Sequence, residues 1–167
     1  SKYNVINPDQ ICDDYGADTL RLYEMFLGPI EQAKPWNTAG ISGTFSFLKK
    51  FWNLSHKSGE LSVNYEKPSK ESLKILHKTI KKVEEDINNF SFNTSVSAFM
   101  ICVNELTSLK CNNAEIIKTL TVLLSPFAPH ICEEVWSKLG NKESITFQSF
   151  PLFNPEFIKE STIEYPV

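Results

Sequence analysis

Three stretches of the sequence gather residues whose types could do chemistry. The first, His130-Ile131-Cys132-Glu133-Glu134, sets a histidine beside a thiol and two carboxylates. On a helix His130 shares a face with Glu133 or Glu134, but tetrahedral zinc needs three or four converging ligands, and this spacing matches no zinc pattern. No metal site is expected. The second kind, the acidic runs Asp13-Asp14 and Glu84-Glu85-Asp86, would divide acid and base roles only inside a cleft that separated their pKa values. A solvated helix face is the expectation for both. Serines are plentiful, yet none sits in a nucleophile elbow, and only His56, His77 and His130 could serve as a base. No catalytic residue and no Gly-rich phosphate loop is expected in the chain.

The third stretch is basic. Lys70, Lys74, Lys78, Lys81 and Lys82 recur at helical spacing, opposite an apolar seam on the same segment, and such a stripe can track phosphates. Glu71, Glu84 and Glu85 balance it, so a solvated face is the competing reading. Lys49 and Lys50 add a second basic pair beside Phe51 and Trp52. Arg21 is the one arginine, although bidentate phosphate contacts favour arginine, so any RNA grip rests on lysine point charges. The candidates are Lys49, Lys50, Lys74, Lys78 and Lys81. The whole chain carries 17 Lys and Arg against 20 Asp and Glu, a net charge of -3, so a nucleic-acid surface must be a local patch.

These residues need elements to hold them. With 167 residues, 41% hydrophobic and 22% charged, the chain has the makings of one folded domain. Asn7-Pro8 opens a short helix with Ile11 and Tyr15 on one face, ending at Gly16 as a left-handed cap. Asp18 is placed to cap the next helix, which carries Leu20, Tyr23 and Leu27 to Gly28-Pro29. A loop anchored by Trp36 follows. Ile41, Phe45, Leu48 and Trp52, widened by Phe47, Phe51 and Leu54, predict a long helix whose weak points are Gly40 and Gly43. A polar connection over 55–68 leads to the cleanest seam in the chain, Leu73, Leu76, Ile80, Val83, Ile87 and Phe90. Asn93 or Thr94 caps the next helix, with Val96, Phe99, Val103 and Leu106 inward. Two more helices follow, one with Ile116, Leu120 and Leu123, the other starting at Pro129 with Ile131, Val135, Trp136 and Leu139 inward. The stretch from Ile145 to Val167 reads as extended. The fold class is all-α, an antiparallel bundle of five or six amphipathic helices. Cys12, Cys102, Cys111 and Cys132, without C-x-x-C spacing, read as reduced thiols in a cytosolic protein. No stretch suits a membrane span or a signal peptide.

Two runs carry a family likeness. The opening, SKYNVINPDQICDDYGADTLRLYEMFLGP, resembles the segment that follows the catalytic KMSKS loop of class I aminoacyl-tRNA synthetases, with Ser1 similar to the last residue of that loop. LLSPFAPHICEEVW resembles the helical anticodon-binding domain of the same class. Tyr23 to Trp36 is similar to the leucyl branch, and Glu164-Tyr165-Pro166-Val167 to that branch's entry into a small C-terminal domain; Tyr3 departs from a common glycine.

The resemblance implies stem-contact helices over 1–36, a tRNA-contacting helical bundle over 37–142 and an extended linker over 143–167, with both ends looking like cut points. It implies a parent ligase that activates leucine with ATP and magnesium and passes it to tRNA(Leu), in the cytoplasm, with no cofactor in this chain. Its partners would be that tRNA and the ligase's other domains, not DNA or a membrane. Asp18 and Arg21, three apart on a helix, would pair and fix the junction between the ATP loop and the bundle. Trp36 and His130 would be structural residues there. The same module of an isoleucyl or valyl ligase, or a helical protein-interaction module, are the alternatives.

Overall fold

A computed structural model describes residues 6–159. It contains seven α-helices and one two-stranded hairpin among those residues. Helix α1 (Pro8–Tyr15) starts where Asn7 Oδ1 accepts from the Asp9 amide at 3.0 Å, with Pro8 at its first position. Gly16 ends it at φ 88°, ψ 151°, a region open essentially to glycine and not the left-handed helical conformation. That turn lets α2 (Ala17–Phe26) begin without a loop. No side chain caps α2; Asp18 is committed elsewhere.

A 3-10 turn at Thr38–Gly40 leads into α3 (Ile41–Ser55). Its buried face is Ile41, Thr44, Phe47, Leu48, Phe51 and Leu54, so Phe45 and Trp52 lie half-buried at the margin of the stripe. The reason is that α3 packs on α2, α5 and α7, which turns the stripe's centre towards Phe47 and Phe51. The polar connection contains a hairpin, β1 (His56–Lys57) against β2 (Glu60–Leu61), turned by Ser58 and Gly59, both at positive φ. Asn64 then bridges the backbone on either side of Asn113 and ties the connection to the start of α6.

Helix α4 (Lys70–Asn88) is capped by Ser69 Oγ, which accepts from the Ser72 amide at 3.1 Å. It packs extensively on α5 (Phe92–Ser108). Asn93 and Thr94 fall inside the first turn of α5, whose cap position is Ser91. Phe90, placed in the seam by periodicity, is instead 64% exposed. It sits one residue past the helix cap at φ 53°, where the Ser91 amide reaches back to Asp86 O at 2.8 Å and closes a Schellman turn. Asp86 leaves the solvated face expected for it and is buried, 2.6 Å from the Lys82 ammonium. Helices α6 (Ala114–Leu124), capped by Asn113, and α7 (Pro129–Lys138) complete the bundle.

The main core draws Leu22 from α2 and one face of each of α3 to α7, closing with Ile145. A second cluster, Ile11, Tyr23 and Ile41, sits under α1 and the loop before α3, with Trp36 half-buried against it. Gly40 lies there because a Cβ would come within 2.6 Å of Tyr23 Oη, which donates to Asn37 O. Gly43 has no such reason, since a Cβ would meet nothing within 4 Å. All four cysteines are free. Burial pushes the Cys102 thiol up to about 12 and raises Cys132 as well. No helix among the described residues is long and apolar enough to cross a membrane.

The chain after α7 folds back on the bundle. Glu133 accepts from Ser144 Oγ at 3.0 Å and the Ile145 amide at 3.1 Å, and Trp136 Nε1 donates to Glu143 O at 2.9 Å. Two 3-10 turns, Ile145–Phe147 and Pro155–Ile158, flank a non-helical stretch that pairs with no strand among the described residues. Its far end docks on α4, where His77 Nδ1 accepts from the Asn154 amide at 3.2 Å and the ring stacks on Phe157 at 4.6 Å. Glu164 to Val167 lie outside the described residues.

Two expectations follow. Gly43→Ala should raise unfolding free energy by about 0.5–1 kcal/mol, and Gly40→Ala should lower it, both read from denaturant midpoints. Burial holds the His77 pKa below 6.5, so the unfolded chain takes up the proton first as pH falls. The contribution of neutral His77 is complete above that value and is lost as pH drops towards the lowered folded one. Amide exchange over 148–158, corrected for intrinsic rates, should therefore accelerate relative to α5 between about pH 7.5 and about pH 5.5. His77→Gln keeps an acceptor without a titration and should remove that difference.

Candidate functional site

Helix α7 cannot cap itself. Its cap position is Ala128, which has no side-chain oxygen, and Pro129 takes the first position, so the next amides need an acceptor from elsewhere. Asp18 supplies it from the first turn of α2. Its Oδ1 accepts from the His130 amide at 3.3 Å and from His130 Nδ1 at 2.8 Å, and its Oδ2 accepts from the Ile131 amide at 2.7 Å. The Asp18 side chain is 8% exposed while that of His130 is 73% exposed. The two backbone bonds therefore carry the stabilisation, and the ring contact, open to water, adds little.

One turn further along α2, Arg21 faces the other half of the same corner. Its Nη2 donates to Pro126 O at 3.0 Å and its Nε to Phe127 O at 3.4 Å, in the turn that follows α6. Contrary to the expectation from their spacing, Asp18 and Arg21 therefore bind separate partners and not each other. The anion meets the positive end of α7 and the cation meets the carbonyls beyond the negative end of α6. Both partners beat a local ion pair because they are backbone groups with no helical partner of their own. Trp36 stands behind this corner, its Nε1 donating to Thr38 Oγ1 at 2.9 Å and its ring edge-on to Tyr23.

Beside the corner runs an open groove of about 660 Å³, bounded by Tyr15 and Ala17, by Phe45, Leu48 and Trp52 of α3, and by Ile131 of α7. Lys49, Asn53 and His130 stand at its rim. Trp52 is held by His56, stacked on it at 3.7 Å and 9°. The Lys49 ammonium lies 4.1 Å over the Phe45 ring.

The five candidate lysines divide into three places. Lys50 Nζ donates to Asn104 Oδ1 of α5 at 2.9 Å, and Asn104 borders a smaller groove, of about 450 Å³, with Lys74 and Lys78 of α4. Glu71 and Glu105 border it too and temper its field. Lys49 belongs to the aromatic groove instead. Lys81 is 3.9 Å from Glu85 and 5.9 Å from the Phe153 ring, on the tail's side of α4. Within His130 to Glu134 the side chains diverge: His130 meets Asp18, Cys132 is fully buried, and Glu133 holds the turn at Ser144. Ser1 lies outside the described residues.

Asn104 as the meeting point of two basic helices and Asp18 as the cap of α7 were not visible as such in the sequence. The second left a trace, since an Ala-Pro helix start lacks the Ser, Thr, Asp or Asn that normally caps it.

Residues 69–166, which take in α4 to α7, match the family described as the anticodon-binding domain of tRNA ligase. The chain belongs to that family. Over its whole length it is 65% identical to the leucine–tRNA ligases of Christiangramia forsetii and of Flavobacterium psychrophilum, covering 17% of each. It is 57% identical to that of Bacteroides thetaiotaomicron, covering 18%. A LeuRS–tRNA–LeuAMS ternary complex from Agrobacterium radiobacter superposes with a TM-score of 0.78 at 26% identity, over 93% of this chain and 22% of that one. The chain thus spans under a fifth of the length of these three sequence relatives, and the helical anticodon-binding architecture inferred from its sequence is the one observed.

Asp18→Ala should cost this anticodon-binding domain about 1–2 kcal/mol, a lost cap that also leaves two amides without an acceptor at a part-buried helix start. Asp18→Asn keeps one acceptor oxygen and should fall between. Denaturant unfolding orders the three proteins, and exchange at the His130 and Ile131 amides localises the loss.

Proposed function

We propose that this chain is the part of a leucine–tRNA ligase that holds and positions tRNA(Leu), while the parent enzyme joins leucine to that tRNA with ATP and magnesium at residues outside this chain. The observation that carries this reading is that basic residues of α3 and α4 meet at Asn104, in a chain whose α4 to α7 match the anticodon-binding domain family. Lys50, Lys74 and Lys78 present ammonium groups across two helices, and lysine point charges suit phosphate oxygens without reading bases. Lys49 and Lys81, away from that groove, would touch RNA on either side of it.

Residues 37–142 would then be the tRNA-contacting bundle. Residues 1–36 would be the stem-contact segment, joined to the bundle by Asp18 and Arg21, and 143–167 the lead to a further domain. The work would be done in the cytoplasm, in contact with the ligase's other domains and with neither DNA nor a membrane. The solved LeuRS complex with tRNA supports this reading, as does the length of the relatives, which leaves room for a catalytic domain elsewhere.

The test is a titration of the chain with leucine tRNA and with an unrelated tRNA at several salt concentrations. Binding should weaken linearly in log–log form with salt and discriminate little between the two. Lys50→Ala, Lys74→Ala and Lys78→Ala should each reduce the slope by about 1 at most. Salt-independent association, or none at low salt, would overturn the reading.

A further inference from the structure

We infer that the groove between α3 and the starts of α2 and α7 receives one unstacked nucleotide of the bound tRNA, its base against Trp52 and its phosphate at Lys49. The inference rests on the proposed function and names the feature of the RNA that one part of the surface takes. At about 660 Å³ the groove lies within the size range of small-ligand sites. Its composition is unlike that of the Lys74–Lys78 groove, which has no aromatic ring among its lining residues and two carboxylates at its border.

The aromatic side is prepared. Trp52 is half-buried and packed against the main core, with one face covered by His56 at 3.7 Å, so the ring is held in place where it borders the groove. Phe45 is steadied at its edge by Tyr15, 5.6 Å away. A base stacks on such a surface whatever its identity, because every base has a π-face.

The charge is also of the right sign. Lys49 has no carboxylate partner among the described residues, and its ammonium at the rim is held over Phe45. Asp18, the acid bordering the groove, spends both oxygens on the α7 amides and on His130. The rim therefore offers an anion one free cation. Asn53 and the His130 ring nitrogen that Asp18 does not engage add hydrogen-bonding groups at the base's edge. A purely apolar protein segment would leave all three of these polar groups unanswered.

The experiment uses the full-length ligase. Trp52→Leu should weaken tRNA binding by roughly 5- to 100-fold without changing the salt slope, whereas Trp52→Phe should retain most of the affinity. Benzoylphenylalanine placed at Asn53 should cross-link, on irradiation, to a single nucleotide of the tRNA. Wild-type affinity in a folded Trp52→Leu enzyme would overturn the inference, as would a cross-link to the ligase's own chain in the presence of tRNA, which would mean that protein covers the groove. If Trp52→Leu fails to fold by thermal melting, the cross-link at Asn53 decides. Should the α4 lysine variants alter the slope while Trp52 is neutral and the cross-link misses RNA, the proposed function stands and this inference falls. Absence of salt-dependent tRNA binding in the unmodified enzyme removes both.

Discussion

The arrangement of this domain depends on a carboxylate from its second helix closing the open end of its last one. Asp18 bonds the His130 and Ile131 amides from 112 and 113 residues away. Without it α7 would begin at Ala128-Pro129 with two amides lacking an acceptor from the protein. Helix α7 in turn presents Glu133 and Trp136, which turn the chain at Glu143 to Ile145 and send it back across the bundle. One side chain near the start thus sets the position of the helix that turns the chain at Glu143 to Ile145.

The same turn of α2 answers the neighbouring helix. Arg21 reaches the Pro126 and Phe127 carbonyls while Asp18 reaches the amides beyond them, so two side chains three residues apart grip both ends of one tight turn. A surface ion pair between the two would contribute a few tenths of a kcal/mol. Split between two helix ends, each charge meets a fixed dipole and partnerless backbone groups, where a cap is typically worth about 1 kcal/mol. A second polar tie, at the opposite end of α6, does similar work. The Asn113 side chain caps α6 with its oxygen and binds Glu66 O with its nitrogen, fastening the connection before α4 to the turn between α5 and α6. Apolar burial holds the helices together; these two polar ties fix which helix end meets which.

The sequence made much of this legible. The 3.6-residue periodicity of Leu76, Ile80 and Val83, and of Val96, Phe99 and Val103, places α4 and α5 with their buried faces correct, because both are long and pack on one side. Periodicity says nothing of where a helix stops. Phe90 and Lys110 occupy positive-φ positions that glycine normally marks, so the turns after α4 and α5 carry no such signal, and the apolar repeat runs one residue too far. The α3 stripe was found but mis-centred, since its true centre depends on which neighbours pack there. Asp18 and Arg21 stand out in the sequence as an i, i+3 pair, but in the fold each binds backbone groups far along the chain. An i, i+3 pair on one helix is visible in a string of letters, whereas an orphaned amide 112 residues away is visible only once the missing cap of α7 is noticed. The tail reads as extended because it is rich in Pro and Phe, and its docking depends on His77, whose burial no local pattern announces.

The distribution of charge explains how an acidic chain can still carry a locally basic surface. Several carboxylates are already engaged: Asp18 by the α7 amides, Asp86 by Lys82, Glu133 by the turn at Ser144. Their charges are directed inward or at the protein's own backbone. Lys49 and Lys50 project from the outer side of α3, one over an aromatic ring and one on a neutral asparagine, so neither is neutralised by its contact. Net charge is therefore a poor guide to what this surface can bind. The sign of the field outside depends locally on which charges the fold engages in holding its helix ends, and beside the start of α7 the engaged charge is the acid Asp18. The constraint that builds the domain, a carboxylate at the start of α7, removes an anion from the rim of the groove beside it and leaves the lysine there without an acidic competitor.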